Sequence, residues 1–120
     1  VTCVFGTFNF LHRGHINYFE QAGENLTVFL TDDDYSESVV SFSNRRKVLE
    51  AVERVDKVVK LSSEPDEMIE QLKAFQPEEV VFGYDHEEYA ERMSKALSCD
   101  VRTADKKFDL SCTSICGMYE

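Results

Sequence analysis

The sequence predicts an α/β domain: a doubly wound, mostly parallel five-stranded sheet with helices on both faces. Three observations carry this. Short runs rich in β-branched and aromatic residues, beginning at Val1, Leu26, Val58, Val80 and Asp100, alternate with longer segments whose apolar residues recur at helical spacing. The runs Val1 to Phe5 and Leu26 to Leu30 are apolar on nearly every residue, as strands covered on both faces are. No internal repeat or low-complexity tract interrupts the alternation, and the strand at Val1 is expected at the centre of the sheet.

Each element has its own reason. Val1 to Phe5 is short, apolar and ends at Gly6. Ile16, Phe19 and Ala22 repeat at helical spacing and Gly23 supplies a C-cap, so the first helix runs from about Gly14 to Ala22. Leu26 to Leu30 is the second buried strand. Thr31 to Ser38 reads as a loop, and its three aspartates, Asp32, Asp33 and Asp34, read as a solvated turn, because consecutive side chains diverge and do not converge on one ion. Ser43 is the expected cap of a second helix carrying Val48, Leu49, Val52 and Val55. Val58 to Leu61 is the third strand. Ser63-Glu64-Pro65 opens a helix with Met68, Ile69, Leu72 and Phe75 inward, and Pro77 ends that connection. Val80 to Phe82 is the fourth strand, Glu87 to Leu97 the next helix, and Asp100 to Thr103 a short edge strand.

A chain of 120 residues supports one core and is too short for a separate substrate domain. One domain over 1–120 is expected, with its site on that domain or between two copies. No apolar run approaches a membrane span and no signal-peptide pattern opens the chain, which predicts a soluble cytoplasmic protein with no membrane partner. Position 1 is Val rather than Met, so the first strand is expected to begin before it. A net charge of −10 argues against a nucleic-acid partner, since phosphate-backbone binding draws on clustered Lys and Arg. Nucleotides remain accessible to such a chain through helix N-termini, a few cations and Mg²⁺. Cys3, Cys99, Cys112 and Cys116 have no C-x-x-C spacing and no nearby histidine, so free, mostly buried thiols are expected and no protein metal site.

The chemistry concentrates in Gly6-Thr7-Phe8-Asn9-Phe10-Leu11-His12-Arg13-Gly14-His15. A strand that stops at a glycine, turns through a polar loop and opens a helix presents backbone N–H groups to a phosphate. His12 and His15 are three apart, so both imidazoles can lie on one side of the first helical turn. Gly14 between them removes a Cβ where substrate or backbone comes close.

These residues resemble the G-T-F-D-x-x-H-x-G-H signature of the nucleotidyltransferases of the HIGH superfamily, whose domain is Rossmann-like. Within it the short chain is similar to the glycerol-3-phosphate cytidylyltransferases. Gly83-Tyr84-Asp85 and Lys107-Phe108-Asp109 look more like the archaeal FMN adenylyltransferases. The resemblance implies a nucleoside triphosphate, CTP or ATP, a phosphorylated small-molecule acceptor, Mg²⁺ and a homodimer. It implies His12 and His15 as catalytic, and Gly6, Thr7, Phe8, Asn9, Arg13, Gly14, Arg45, Gly83, Asp85, Ser111, Thr113 and Ser114 as nucleotide-binding. Arg45 aligns with an arginine of the family's R-K segment, where its planar fork suits a triphosphate. Ser111 to Ser114 resemble the I-S-T-T segment that opens the family's last helix over the phosphates. The leading expectation is CMP transfer to glycerol 3-phosphate or a similar alcohol phosphate. The second is adenylyl transfer to FMN, and the third a nucleotide-binding module without turnover. Three departures bear on the choice: Asn9 stands where the family has Asp, no lysine lies between Asp32 and Ser43, and the R-T-E-G lead-in to the tail is missing. That leaves Arg102, Lys106 or Lys107 as the basic residue near the phosphates.

Overall fold

A computed structural model describes residues 1–34, 38–62, 64–83 and 87–104. Among them strands and helices alternate: β1 (Thr2–Gly6), α1 (Arg13–Ala22), β2 (Leu26–Thr31), α2 (Phe42–Glu50), β3 (Val55–Leu61), α3 (Pro65–Phe75), β4 (Glu79–Phe82), α4 (Glu87–Ala96) and β5 (Asp100–Thr103). The strands form one all-parallel sheet in the order β3-β2-β1-β4-β5. The first strand is therefore central, and the order of strand addition reverses between β1 and β4.

Alternation along the strands feeds two cores. On one face Val4, Val28, Leu30 and Val81 meet Tyr18, Phe19 and Ala22 of α1 and Leu49 of α2. On the other, Cys3, Phe29, Val80 and Phe82 meet Leu72 of α3 and Ala90 and Met93 of α4. Successive side chains of a strand point to opposite sides, so a strand covered on both must be apolar at every position. Each fully buried Leu or Phe contributes about 1.5–3 kcal/mol, and Phe19, Phe29, Leu26, Leu30, Leu49 and Leu72 are all below 2% exposed. Phe5 stacks between Phe29 and Phe82 at centroid separations of 5.2 and 4.9 Å, which ties the three central strands together on the second face.

The expected boundaries shift in two places with a physical cause. The second helix is capped by Ser41, whose hydroxyl accepts the Asn44 N–H at 3.3 Å, so Ser43 lies inside the first turn. Val55 belongs to β3 rather than to that helix. The helix ends at Glu50, a turn from Val52 to Val55 follows, and Val55 pairs with Leu26. Elsewhere the signals hold: Gly23 caps α1 at φ 120°, Pro65 sits at the start of α3, and Gln76 ends it in the left-handed region at φ 55°.

The three aspartates form the expected turn as far as Asp34, and two of them have partners. Asp32 faces the Lys60 ammonium at 3.7 Å, and Asp33 accepts the Phe42 N–H and meets Arg45 at 3.3 Å. Cys3 and Cys99 are free thiols, and burial pushes the Cys3 thiol up to about 12. No helix among the described residues is long and apolar enough to cross a membrane. Cys112, Cys116 and the helix expected after Leu110 lie outside the described residues.

Candidate active site

The carboxyl edge of the sheet is where the strand order turns back on itself. β1 pairs with β2 as far as Gly6↔Leu30 and β4 pairs with β5 as far as Phe82↔Thr103, but the β1 and β4 ladder stops at Val4↔Val81. The two central strands part there, and ligands of open α/β sheets bind in such a crevice. Gly6 and Gly83 each stand two residues beyond the last pair, level with each other across the opening.

From Gly6 the chain enters the β1–α1 loop. Phe8 is in the left-handed region at φ 49°, and its ring folds back over Gly6, so a Cβ at position 6 would lie 2.7–3.1 Å from ring carbons. The ring is buried and meets His15 edge-on at 5.1 Å, with Phe19 at 5.4 Å. Phe8, expected among the nucleotide ligands, thus lends its side chain to the core and supports the His15 imidazole from below.

The loop is also tied to its neighbour. Asn9 Oδ1 accepts the N–H groups of Val39 and Val40 at 3.0 and 3.2 Å, pinning the β2–α2 connection against it. The Thr7 hydroxyl accepts from the Thr31 hydroxyl at 3.0 Å. Arg45 departs from the phosphate clamp expected of it. It is 1% exposed, and its guanidinium donates to the carbonyls of Val40 at 2.7 Å and Thr7 at 2.9 Å, to the Thr31 hydroxyl and to Asp33. Its fork is spent bracing two loops to the sheet.

His12 is the N-cap of α1, with Arg13, Gly14 and His15 as the first three helical residues. Its Nδ1 accepts the Gly14 N–H at 3.0 Å, and His15 Nδ1 accepts the His12 N–H at 3.3 Å. This is a reciprocal capping box built from two imidazoles in place of the usual Ser and Glu. The rings stack at 3.9 Å. A ring nitrogen that accepts an N–H carries no proton, so both neutral imidazoles hold their proton on Nε2. His12 Nε2 is buried with no hydrogen-bond partner among the described residues. An orphaned donor of this kind costs about 1–3 kcal/mol, which an anionic oxygen would recover.

Burial pushes the His15 imidazole down to about 4, with the adjacent His12 adding to the effect, and burial lowers His12 as well. The geometry agrees, since a second proton would have to sit on the Nδ1 that closes the cap. The unfolded chain titrates near 6.5, so between about 6.5 and about 4 it binds more protons than the folded one. Stability is therefore full above the upper value and falls as pH drops through that window. We expect urea midpoints of the wild type to fall further between about pH 7 and about pH 4.5 than those of His15→Asn, which lacks the titrating group; parallel losses would contradict the lowered value.

Glycine at the crevice, two Nε2–H donors and the positive end of α1 converge on one place. The cytidylyltransferase-like family matches residues 3–112. The chain belongs to this family. Two of its relatives are the FAD synthases of Methanosarcina barkeri, 36% identical over 78% of this chain and 70% of theirs, and of Archaeoglobus fulgidus, 30% identical over 80% of this chain and 77% of theirs. Against the FAD synthase of Methanosarcina acetivorans, 34% identical, the match spans 65% of that chain. A solved structure, the lipopolysaccharide core biosynthesis protein of Thermoplasma volcanium, superposes with a TM-score of 0.75 at 19% identity, over 89% of this chain and 97% of its own. Membership makes the chain a nucleotidyltransferase of α/β, Rossmann-like fold.

The cytidylyltransferase-like site also has members that spacing did not reveal. Tyr18, buried three residues after His15, accepts the Phe5 N–H at 3.1 Å and donates to the Val81 carbonyl. Its one sequence signal was a phenol among purely apolar positions, since a buried hydroxyl needs partners. Thr31, read as the start of a loop, is the last residue of β2, and its hydroxyl joins Thr7 and Arg45. Arg102 is turned away from the crevice: it pairs with Glu79 at 3.1 Å and donates to the Gln21 carbonyl at the far end of α1. Asp85, Ser111, Thr113, Ser114, Lys106 and Lys107 lie outside the described residues. No cluster of three His, Cys, Asp or Glu able to hold a metal occurs among the described residues, and Asp32 and Asp33 are already paired. Those residues do not form a Mg²⁺ cage.

Proposed function

We propose that the chain is an adenylyltransferase that moves AMP from ATP to FMN and releases pyrophosphate. The observation that carries this is the pair of stacked, neutral imidazoles whose Nδ1 atoms are held by backbone N–H groups, which leaves two Nε2–H donors at the start of a helix beside the β1/β4 crevice. The FAD synthase relatives favour AMP transfer to FMN over CMP transfer to glycerol 3-phosphate, the reading that led from sequence.

The reaction needs little from the protein beyond placement and charge stabilisation. An FMN phosphate oxygen forms a bond to the α-phosphorus of ATP as the bond to the bridging α–β oxygen breaks, and that oxygen leaves with pyrophosphate. His12 and His15 donate Nε2–H to oxygens of the transferring and leaving groups. The N-terminus of α1 adds partial positive charge where it is most needed, in a chain of net charge −10. Neutral donors with depressed pKa values keep their role across the physiological range. Mg²⁺ enters with ATP as part of the substrate, carried by phosphate oxygens and water.

The test is pyrophosphate release by purified protein with Mg²⁺, crossing ATP and CTP against FMN and glycerol 3-phosphate. We expect turnover with ATP and FMN alone. Turnover with CTP and glycerol 3-phosphate would reinstate the other transferase reading. Nucleotide binding without pyrophosphate release in any pairing would favour the module without turnover.

A further inference from the structure

We propose that Thr31 is a positioning residue: its hydroxyl, enclosed against Arg45, donates to Thr7 and so turns the Thr7 proton outward, as a further donor to a substrate phosphate oxygen. The two threonines stand side by side. Gly6↔Leu30 closes the ladder of β1 and β2, and Thr7 and Thr31 are the next residue on each side, at the carboxyl edge of the sheet. Their hydroxyl oxygens are 3.0 Å apart, and Arg45 donates to the Thr31 oxygen at 3.3 Å.

A hydroxyl has one proton to give and lone pairs for two donors, whereas a guanidinium has donors alone. That inventory decides the direction of the pair. Thr31 is buried, Arg45 cannot accept its proton, and the Thr7 oxygen is its one acceptor among the described residues. Were Thr7 the donor instead, the Thr31 proton would be buried without an acceptor. The Thr7 oxygen therefore accepts, and its own proton leaves in another direction. Thr7 is only half-buried, and its hydroxyl donates to no acceptor among the described residues. Arg45 also holds the Thr7 carbonyl at 2.9 Å, so Arg45 and Thr31 together fix both the backbone and the side chain of Thr7. A cation at the head of this chain polarises each hydroxyl in turn, which makes the last one a stronger donor. Thr7 precedes the His12 cap by five residues on the loop from β1 to α1, where the positive end of the helix favours an anionic oxygen as the acceptor.

This inference rests on the reading that substrate phosphates bind at the start of α1, and the experiment keeps the two apart. Calorimetric affinity is measured for a non-hydrolysable ATP analogue with Mg²⁺, and for FMN added to that complex, in wild type, Thr7→Val, Thr31→Val and the double variant. Thr7→Val is expected to weaken one of the two ligands about tenfold, which tells whether the triphosphate or the FMN phosphate receives the proton. Thr31→Val should weaken the same ligand to a smaller degree and Thr31→Ser should restore it. The double variant should bind no more weakly than Thr7→Val alone, because Thr31 acts only through Thr7. Equal losses from Thr31→Val in both backgrounds would overturn the positioning role, as would wild-type affinity for both ligands in either single valine variant. A wild type that binds neither an ATP nor a CTP analogue would overturn the proposed function, and the Thr7 assignment with it. Proton NMR of the wild-type hydroxyls gives a readout that needs no variant. The Thr31 proton should be protected from exchange with water in the free protein, and the Thr7 proton only once the phosphate ligand is bound. A Thr7 proton that exchanges as freely in the complex as in the free protein would contradict the assignment.

Discussion

Replacing His12 or His15 by asparagine is expected to lower turnover on the order of a hundredfold, the scale of losing one preorganised donor to a charged transition state. The choice of asparagine separates two jobs that one imidazole performs. Its amide oxygen can take the place of Nδ1, accepting the Gly14 N–H from position 12 or the His12 N–H from position 15, so the cap of α1 survives. Nothing in the shorter side chain replaces Nε2–H. Glutamine reaches the opposite position, keeping a donor where Nε2 was while loosening the cap. The expected pattern is stable but nearly inactive asparagine variants, less stable but partly active glutamine variants, and alanine variants that lose on both counts. Steady-state pyrophosphate release beside urea denaturation of the same six proteins checks it. Asparagine variants that keep full turnover would remove the histidines from catalysis.

The second large effect is structural. Arg45→Met keeps much of the length and apolar stem but removes every donor, leaving the Thr7 and Val40 carbonyls and the Thr31 hydroxyl short of a partner. The loss is roughly 3 kcal/mol or more, a large part of the 5–15 kcal/mol by which a typical domain is stable. It comes mostly from the partly buried carbonyls and the buried Thr31 hydroxyl. Asp33, the charged partner, is 58% exposed and water screens that pair. Arg45→Lys recovers part of the loss at most, because one ammonium cannot reach partners on both loops and the sheet. The measurement is the urea midpoint of each variant. Because Thr7 and Phe8 set the floor under His15, lysine is also expected to lower kcat more than it raises KM for ATP. A methionine variant with wild-type stability would show the brace to be dispensable.

His12, His15 and Arg45 mark what could and could not be read from the sequence. The placement of the histidines at the helix start was legible because it is local: strand, glycine, loop and helix start all fall within a dozen residues, and the capping geometry joins residues two and three apart. The buried, bracing setting of Arg45 was not legible because it depends on the packed fold. Arg45 is followed by Arg46 and Lys47 in α2, and only the packed fold makes one of the three fully enclosed while the Arg46 side chain, 54% exposed, pairs with Glu50 at the surface. The inward turn of the Phe8 ring was not legible for a related reason. The motif assigns its backbone to the phosphate loop, but nothing in spacing says that φ turns positive and sends the ring into the core. Tyr18 needed the register of two strands distant in sequence, which no local pattern carries. The sheet itself was legible almost throughout, since apolar runs between amphipathic segments leave one economical topology. The end of α2 was the exception, where Val55 continues the helical spacing of Val48 and Val52 yet pairs with β2. The proposed preference for FMN over an alcohol phosphate rests on the FAD synthase relatives, in line with the likeness of Gly83-Tyr84-Asp85 to the archaeal FMN adenylyltransferases.

The central claim is that two neutral imidazoles, each protonated on Nε2, bind the phosphates of the nucleotide. Nitrogen-15 NMR of the histidine side chains, recorded near pH 7 with and without an ATP analogue and Mg²⁺, tests it most directly. The account predicts the Nε2–H tautomer for both His12 and His15 in the free protein, no conversion of His15 to imidazolium down to about pH 5, and downfield shifts of both Nε2-bound protons on nucleotide addition. An Nδ1–H tautomer at either residue would contradict the capping box. Nε2 protons that do not respond while nucleotide binds would place the phosphates somewhere else.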